Sequence, residues 1–173
     1  MQQINIMMED GEQKLCEIFG QYLNDNCVFL CVGCDKVFSD SLGPRVGTLI
    51  NLFMKKPMFV YGVEGNCITA QNLLHCYNFV RALHKDKTLV VIDAAVGTAE
   101  QIGCVQVYNG GLEPGAATNK NLPCIGDVAL VGIVGEKGLG DFYTTNLHKL
   151  KLVEKMASII SKGICNMPIF KES

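Results

Sequence analysis

Positive charge is not in excess in this sequence, and no apolar run is long enough to cross a bilayer. Its 15 basic side chains stand against 17 acidic ones, giving a net charge of -2 and a pI near 5.9. Nucleic-acid binding needs a positive field over part of the surface, so that class has no support. The longest apolar runs, Val28 to Val32 and Leu89 to Val96, fall far short of the roughly 20 residues of a membrane span. The stretch Met1 to Glu17 carries Glu9, Asp10, Glu12 and Lys14 and lacks the basic start and apolar middle of a secretory signal. A cytoplasmic protein with neither membrane nor nucleic-acid partner is the expectation.

Several motifs are missing as well. There is no G-x-G-x-x-G and no G-K-[ST], so nucleotide binding has no positive sign. No G-x-S-x-G elbow surrounds Ser39 or Ser41, and no histidine is positioned by the sequence to activate either. The nine cysteines are odd in number and show no disulfide spacing, which suits reduced thiols packed as small hydrophobes. Cys31 and Cys34 form a lone C-x-x-C at the end of an apolar strand. With no second C-x-x-C, it reads as structural rather than as half of a zinc site.

What is present is a chain of 173 residues, 49% hydrophobic, enough for one packed core and one domain over residues 1–173. Short β-rich runs alternate with amphipathic segments, the signature of βα units on a mostly parallel sheet. The spacing predicts helices at 10–23, 41–54, 69–83 and 145–161, with Thr69 as N-cap of the third. The apolar stripe of that helix is Leu73, Leu74, Tyr77, Val80 and Leu83. Strands are predicted at 27–32, 58–61, 89–95, 103–108 and 128–135. The long irregular segment Asn109 to Gly126 is glycine- and proline-bearing, and loops of that length in compact domains are usually functional or disordered. The Met-rich start, Met1 to Met8, fits packing on the domain itself or on a second subunit of a homo-oligomer.

In open parallel sheets, ligands bind beyond the carboxyl ends of the strands, where the strand order reverses. The turn-rich stretch after the first strand delivers Asp40 to the start of a helix, and Asp93 interrupts an apolar run. A charge there is costly to bury without a partner. Two carboxylates close together in a dry crevice cannot both ionise easily, which yields an acid/base pair. Asp40 equally fits a helix cap, and Asp93 a strand-end residue bonding the next turn. Glu64 and Asn66, in the connection Gly62 to Asn66, should also lie on the crevice side as substrate contacts or as parts of a plain connection.

Three ordered segments carry a resemblance. Phe38-Ser39-Asp40-Ser41-Leu42-Gly43-Pro44, Val91-Ile92-Asp93-Ala94, and Gly111-Leu112-Glu113-Pro114-Gly115-Ala116 with Asn119-Lys120 resemble the aspartate segments and Pro-Gly-Ala loop of the spore germination protease. The pattern, spread over roughly 28–135, is similar to that of the YyaC family of small sporulation proteins. The resemblance implies a three-layer α/β/α sandwich shared with hydrogenase-maturation endopeptidases. It implies Asp40 and Asp93 as catalytic residues, and Glu113, Pro114, Gly115 and Asn119 as substrate contacts.

The expected substrate is a protein or peptide, with small acid-soluble spore proteins the leading class, in the forespore or spore core. In the hydrogenase-maturation relatives two acidic residues and a histidine bind nickel, whereas His75, His84 and His148 here fall outside the corresponding loop. No cofactor is therefore expected, beyond a divalent metal held weakly by Asp40 and Asp93. Two readings remain: a peptidase using both aspartates, and a binding or regulatory protein that keeps the fold with little or no chemistry.

Overall fold

The computed structural model describes residues 1–112, 124–138 and 146–170. Six strands, β1 (Gln2–Asn5), β2 (Cys27–Cys31), β3 (Phe59–Tyr61), β4 (Thr88–Gly97), β5 (Cys104–Asn109) and β6 (Val128–Glu136), form one sheet in the order β1-β5-β6-β4-β2-β3. The pairs β2–β3, β2–β4 and β4–β6 are parallel, while β5 runs antiparallel to β6 and to β1. Four helices, α1 (Gly11–Tyr22), α2 (Leu42–Phe53), α3 (Leu73–Leu83) and α4 (Leu147–Cys165), cover the two faces.

Alternation along the strands divides the core in two, because successive side chains leave a strand on opposite faces. Phe29, Cys31, Val90, Ile92 and Leu130 meet α1, α2 and α4 through residues such as Phe19, Val46, Ile50, Met156 and Ile160. Val28, Leu30, Leu89, Val91 and Val131 face the other way, onto Leu73 and Val80 of α3 and onto Leu112 and Ile125. The three-layer α/β/α sandwich is thus the observed architecture. All five residues of β2 are buried, which explains its unbroken apolar run.

Three local features depart from the sequence reading. β1 is absent from the expected strands: three of its four residues are polar, and its place is set by a ladder to β5 reinforced by Gln106 Nε2–H donating to Gln3 Oε1 at 2.7 Å. A short polar strand suits a sheet edge, where it discourages pairing with other chains. Within the Met-rich start Ile4 and Met7 pack on the core, whereas Met1 and Met8 are exposed.

Thr69 does not cap α3. The helix begins four residues later, because the Asn72 side chain folds back to accept the Thr69 N–H at 2.7 Å and donates to the Cys67 carbonyl at 3.2 Å. Its buried stripe is also narrower than expected. Leu73 and Val80 are buried, whereas Leu74 and Leu83 are 44% and 59% exposed. α4 starts at Leu147, where Asn146 caps it by accepting the Lys149 N–H at 2.8 Å, and it runs to Cys165.

Candidate active site

The strand order reverses between β2 and β4. From β2 the chain passes through α2 to β3 at the sheet edge, then returns through α3 to β4 on the other side of β2. The last β2–β4 pair is Cys31 with Ile92, and Val32 N–H donates to the Ile92 carbonyl at 2.8 Å. Asp93 is the next residue. β4 does not end there; it continues to Gly97 beside β6, with Asp93 opposite Val131 and a register shift between Ala95 and Val96. Asp93 therefore stands on the open edge that β4 presents once β2 has stopped.

Asp40 is brought above this edge by the close seating of α2. It belongs to a 3-10 turn, Phe38–Ser41, that leads directly into the helix. Gly43, in the first turn of α2, lies so near the Val32 and Ile92 carbonyls that any Cβ would strike them. Leu42 is fully buried and fills the space beside Gly132, the β6 residue paired with Ala94. Gly33 turns the chain with φ +138°, in a conformation that side-chain-bearing residues rarely adopt, and a Cβ there would collide with the Asp40 carbonyl. Asp40 is not the cap of α2. The N-cap position is Ser41, whose hydroxyl donates instead to the Phe38 carbonyl at 2.7 Å.

The two carboxyls are electrostatically coupled. Asp40 is pushed up to about 6 by burial, an effect partly offset by the Cys34 backbone N–H. Asp93 is pushed up to about 8 by burial first; the Ala94 N–H on Oδ1 at 2.8 Å opposes this, and the charge of Asp40 adds to it. Asp93 is still neutral while Asp40 titrates, so it contributes no charge against Asp40 in return. Near neutral pH the pair is one carboxylate, Asp40, and one carboxylic acid, Asp93. That is the state in which one group accepts a proton from water and the other donates a hydrogen bond to a carbonyl.

Against the turn that carries Asp40 lies a small pocket of about 160 Å³ bordered by Asp35, Phe38, Ser41, Arg45, Glu64, Leu150 and Glu154. This is below the roughly 300 Å³ at which small-molecule sites begin, so it suits one side chain of a longer ligand better than a whole ligand. Arg45, which the sequence reading passed over, bridges Glu64 at 2.8 Å and Glu154 at 3.1 Å across α2, the β3–α3 connection and α4. Only a sequence pattern linking residues 45, 64 and 154 could have revealed it. Glu64 borders this pocket, with its carboxylate held by Arg45. Asn66 lies in the same connection, exposed, closing a tight turn with Val63 at 2.9 and 3.2 Å.

The stem of the long loop begins as a bridge between Leu112 and Ile125, with reciprocal N–H to carbonyl bonds of 2.8 and 2.9 Å. It packs on the α3 side of the sheet, the side to which Asp93 alternates from Val91. Glu113, Pro114, Gly115 and Asn119 lie outside the described residues.

Cys31 and His84 are structural parts. Cys31 packs against α2 at Gly47 and is pushed up to about 12 by burial, so the C-x-x-C holds an inert thiol. His84 is buried at the far end of the sheet, its Nε2 2.8 Å from the Tyr61 hydroxyl and its ring 4.4 Å from Phe59; His75 and His148 are exposed. Among the described residues no three His, Cys, Asp or Glu side chains are grouped to hold a metal ion. The donor set shown by the described site is two carboxylates. It does not match the nitrogen-containing set that binds a transition metal tightly.

A family model described as "Protein of unknown function (DUF1256)" matches residues 3–163. The chain belongs to the DUF1256 family. A curated relative, "Uncharacterized protein YyaC" of Bacillus subtilis (strain 168), is 33% identical over 137 residues, spanning 79% of this chain and 67% of the relative. The DUF1256 chain also shares its fold with the crystal structure of a [NiFe] hydrogenase maturation protease, HycI, from Thermococcus kodakarensis KOD1. The TM-score is 0.56 at 17% identity, covering 88% of this chain and 99% of that one. The family resemblance read from the three motifs and the fold it implied are both upheld. No helix among the described residues is long and apolar enough to cross a membrane.

Proposed function

We propose that this DUF1256 protein is an endopeptidase in which Asp40 activates water and Asp93, protonated, polarises the scissile carbonyl. The observation that carries this reading is the placing of two carboxyls, Asp40 in the turn before α2 and Asp93 on the β4 edge beyond β2, at the strand-order reversal, where burial pushes both up, Asp93 further than Asp40. Water bound to Asp40 transfers a proton to its carboxylate as the oxygen attacks the peptide carbon. The carbonyl oxygen, gaining negative charge, is stabilised by the Asp93 hydroxyl. Collapse of the tetrahedral adduct breaks the C–N bond, and the proton held by Asp40 passes to the leaving amine. The two carboxyls and water suffice for each step.

The motif resemblance favours a sporulation or germination protein as substrate, with small acid-soluble spore proteins the first class to try and the forespore or spore core the place of action. The fold shared with a maturation protease supports the peptidase part of this reading. The test is incubation of purified protein with small acid-soluble spore proteins, comparing wild type with Asp40→Asn and Asp93→Asn. Cleavage by the wild type alone supports the reading. Equal cleavage by both variants sinks the two-aspartate mechanism, and no cleavage by the wild type, with the substrate retained on it, favours the binding alternative.

A further inference from the structure

Two cysteines outside the proposed chemistry meet at the mouth of the crevice. Cys34 follows β2 and Cys67 follows β3, and the two segments are tied by the parallel bridge Val32–Ile68 and by Gly33 N–H donating to the Ile68 carbonyl at 2.8 Å. Asp35 N–H points at Cys67 Sγ, 3.4 Å away, and Asp35 Oδ2 accepts the Gly65 N–H at 2.7 Å. The Asp35 nitrogen is only two covalent bonds from Cys34 Cα. Cys67 Sγ is therefore no more than about 6 Å from that Cα, a gap that rotation of the Cys34 side chain narrows toward bonding distance.

Both thiols are half-buried and reachable from solvent, whereas Cys27, Cys31, Cys104 and Cys165 are buried. Burial holds the Cys67 thiol above its ordinary range, the Asp35 N–H on its sulfur opposes this, and the Asp35 carboxylate adds to it.

We infer that Cys34 and Cys67 are a modification site: a thiol pair that exchange with a small-molecule disulfide, of the oxidised glutathione class, closes into an intramolecular disulfide. The thiolate of Cys34 attacks one sulfur of the oxidant, the oxidant's S–S bond breaks, and one small thiolate leaves. Cys67, deprotonated, then attacks the sulfur of Cys34 in the mixed disulfide and expels the second small thiolate. Two protein thiols are oxidised, and one disulfide is reduced to two thiols.

The bridge would fasten the turn that carries Asp40 to the connection that carries Glu64, because Cys34 N–H already holds the Asp40 carbonyl at 2.9 Å. The inference is independent of the proposed peptidase activity, since its readout is the bond itself.

The experiment is incubation of the reduced protein with oxidised glutathione, alkylation of remaining thiols, digestion and mass spectrometry. The expected product is a linked peptide pair containing Cys34 and Cys67, with a higher melting temperature than the reduced protein. In Cys67→Ser a glutathione adduct on Cys34 should persist, and the melting temperature should stay at the reduced value. Three outcomes in the wild type would overturn the inference: a stable adduct on Cys34, linkage of Cys34 to exposed Cys124 instead, or both thiols still alkylated.

Discussion

The backbone N–H of Cys34 donates to the carbonyl of Asp40 at 2.9 Å, closing the turn that carries the first aspartate before α2 begins. The same turn reverses at Gly33, whose α-carbon lies against that carbonyl. Asp40 is therefore fixed by backbone contacts on one side and by the buried start of α2 on the other. Its position over Asp93 does not depend on a flexible loop.

Gly33→Ala tests this directly. The added methyl meets the Asp40 carbonyl, and the positive φ is unfavourable to alanine, so stability should fall by roughly 1–3 kcal/mol. Urea denaturation of the variant checks it, and an unchanged midpoint would show that the turn relaxes freely.

On a cleaved substrate, Asp40→Asn should lower kcat by roughly 10²- to 10⁴-fold, the usual range for loss of a general base. Asp93→Asn keeps a hydrogen-bond donor and should be the milder of the two. Steady-state kinetics on both variants test the assigned roles, and a larger loss in Asp93→Asn would reverse them.

The pH profile of cleavage should be a bell, rising as Asp40 ionises near about 6 and falling as Asp93 loses its proton near about 8. Initial rates across this range would show it, and Asp93→Asn should remove the alkaline limb. A profile with a single acidic limb in the wild type would count against a protonated Asp93.

Stability should respond in the matching direction. Both carboxyls hold protons in the folded state to higher pH than the roughly 3.9 of an unfolded aspartate. The folded protein thus binds more protons than the unfolded one, and stability drops as pH rises through about 6 and then about 8. Compared with wild type, Asp93→Asn should lose less stability between those values, measured as the urea midpoint at each pH.

Arg45→Ala separates packing from charge at the neighbouring pocket. Its partners Glu64 and Glu154 are 32% and 45% exposed, so each pair is screened and worth roughly 0.2–1 kcal/mol. A double-mutant cycle with Glu64→Gln should give a coupling in that range. A coupling of several kcal/mol would mean that the pair is far drier than its exposure indicates.

Much of this arrangement was legible in the chain. The central strands are unbroken apolar runs because both faces are covered, and α1, α2 and α4 carry periodic apolar residues because each buries one side. β1 escaped notice because three polar residues around Ile4 become a strand only when β5 offers them a ladder. Exposed Leu74 and Leu83 mislead in the opposite sense, since apolar spacing cannot say how much of a helix its neighbours cover.

Asp40 and Asp93 were recognisable by themselves as a charge at a helix start and a charge in an apolar run, and the ordered motifs tied them to a family. Their pairing is a tertiary fact. It follows from β2 stopping one residue short of Asp93, from Gly43 letting α2 settle on the strand ends, and from burial raising two carboxyls to different degrees. Residue types and spacing fix which side chains are available. Only the packed fold sets how near two charges stand and how little water they share, and those two quantities decide which carboxyl keeps its proton.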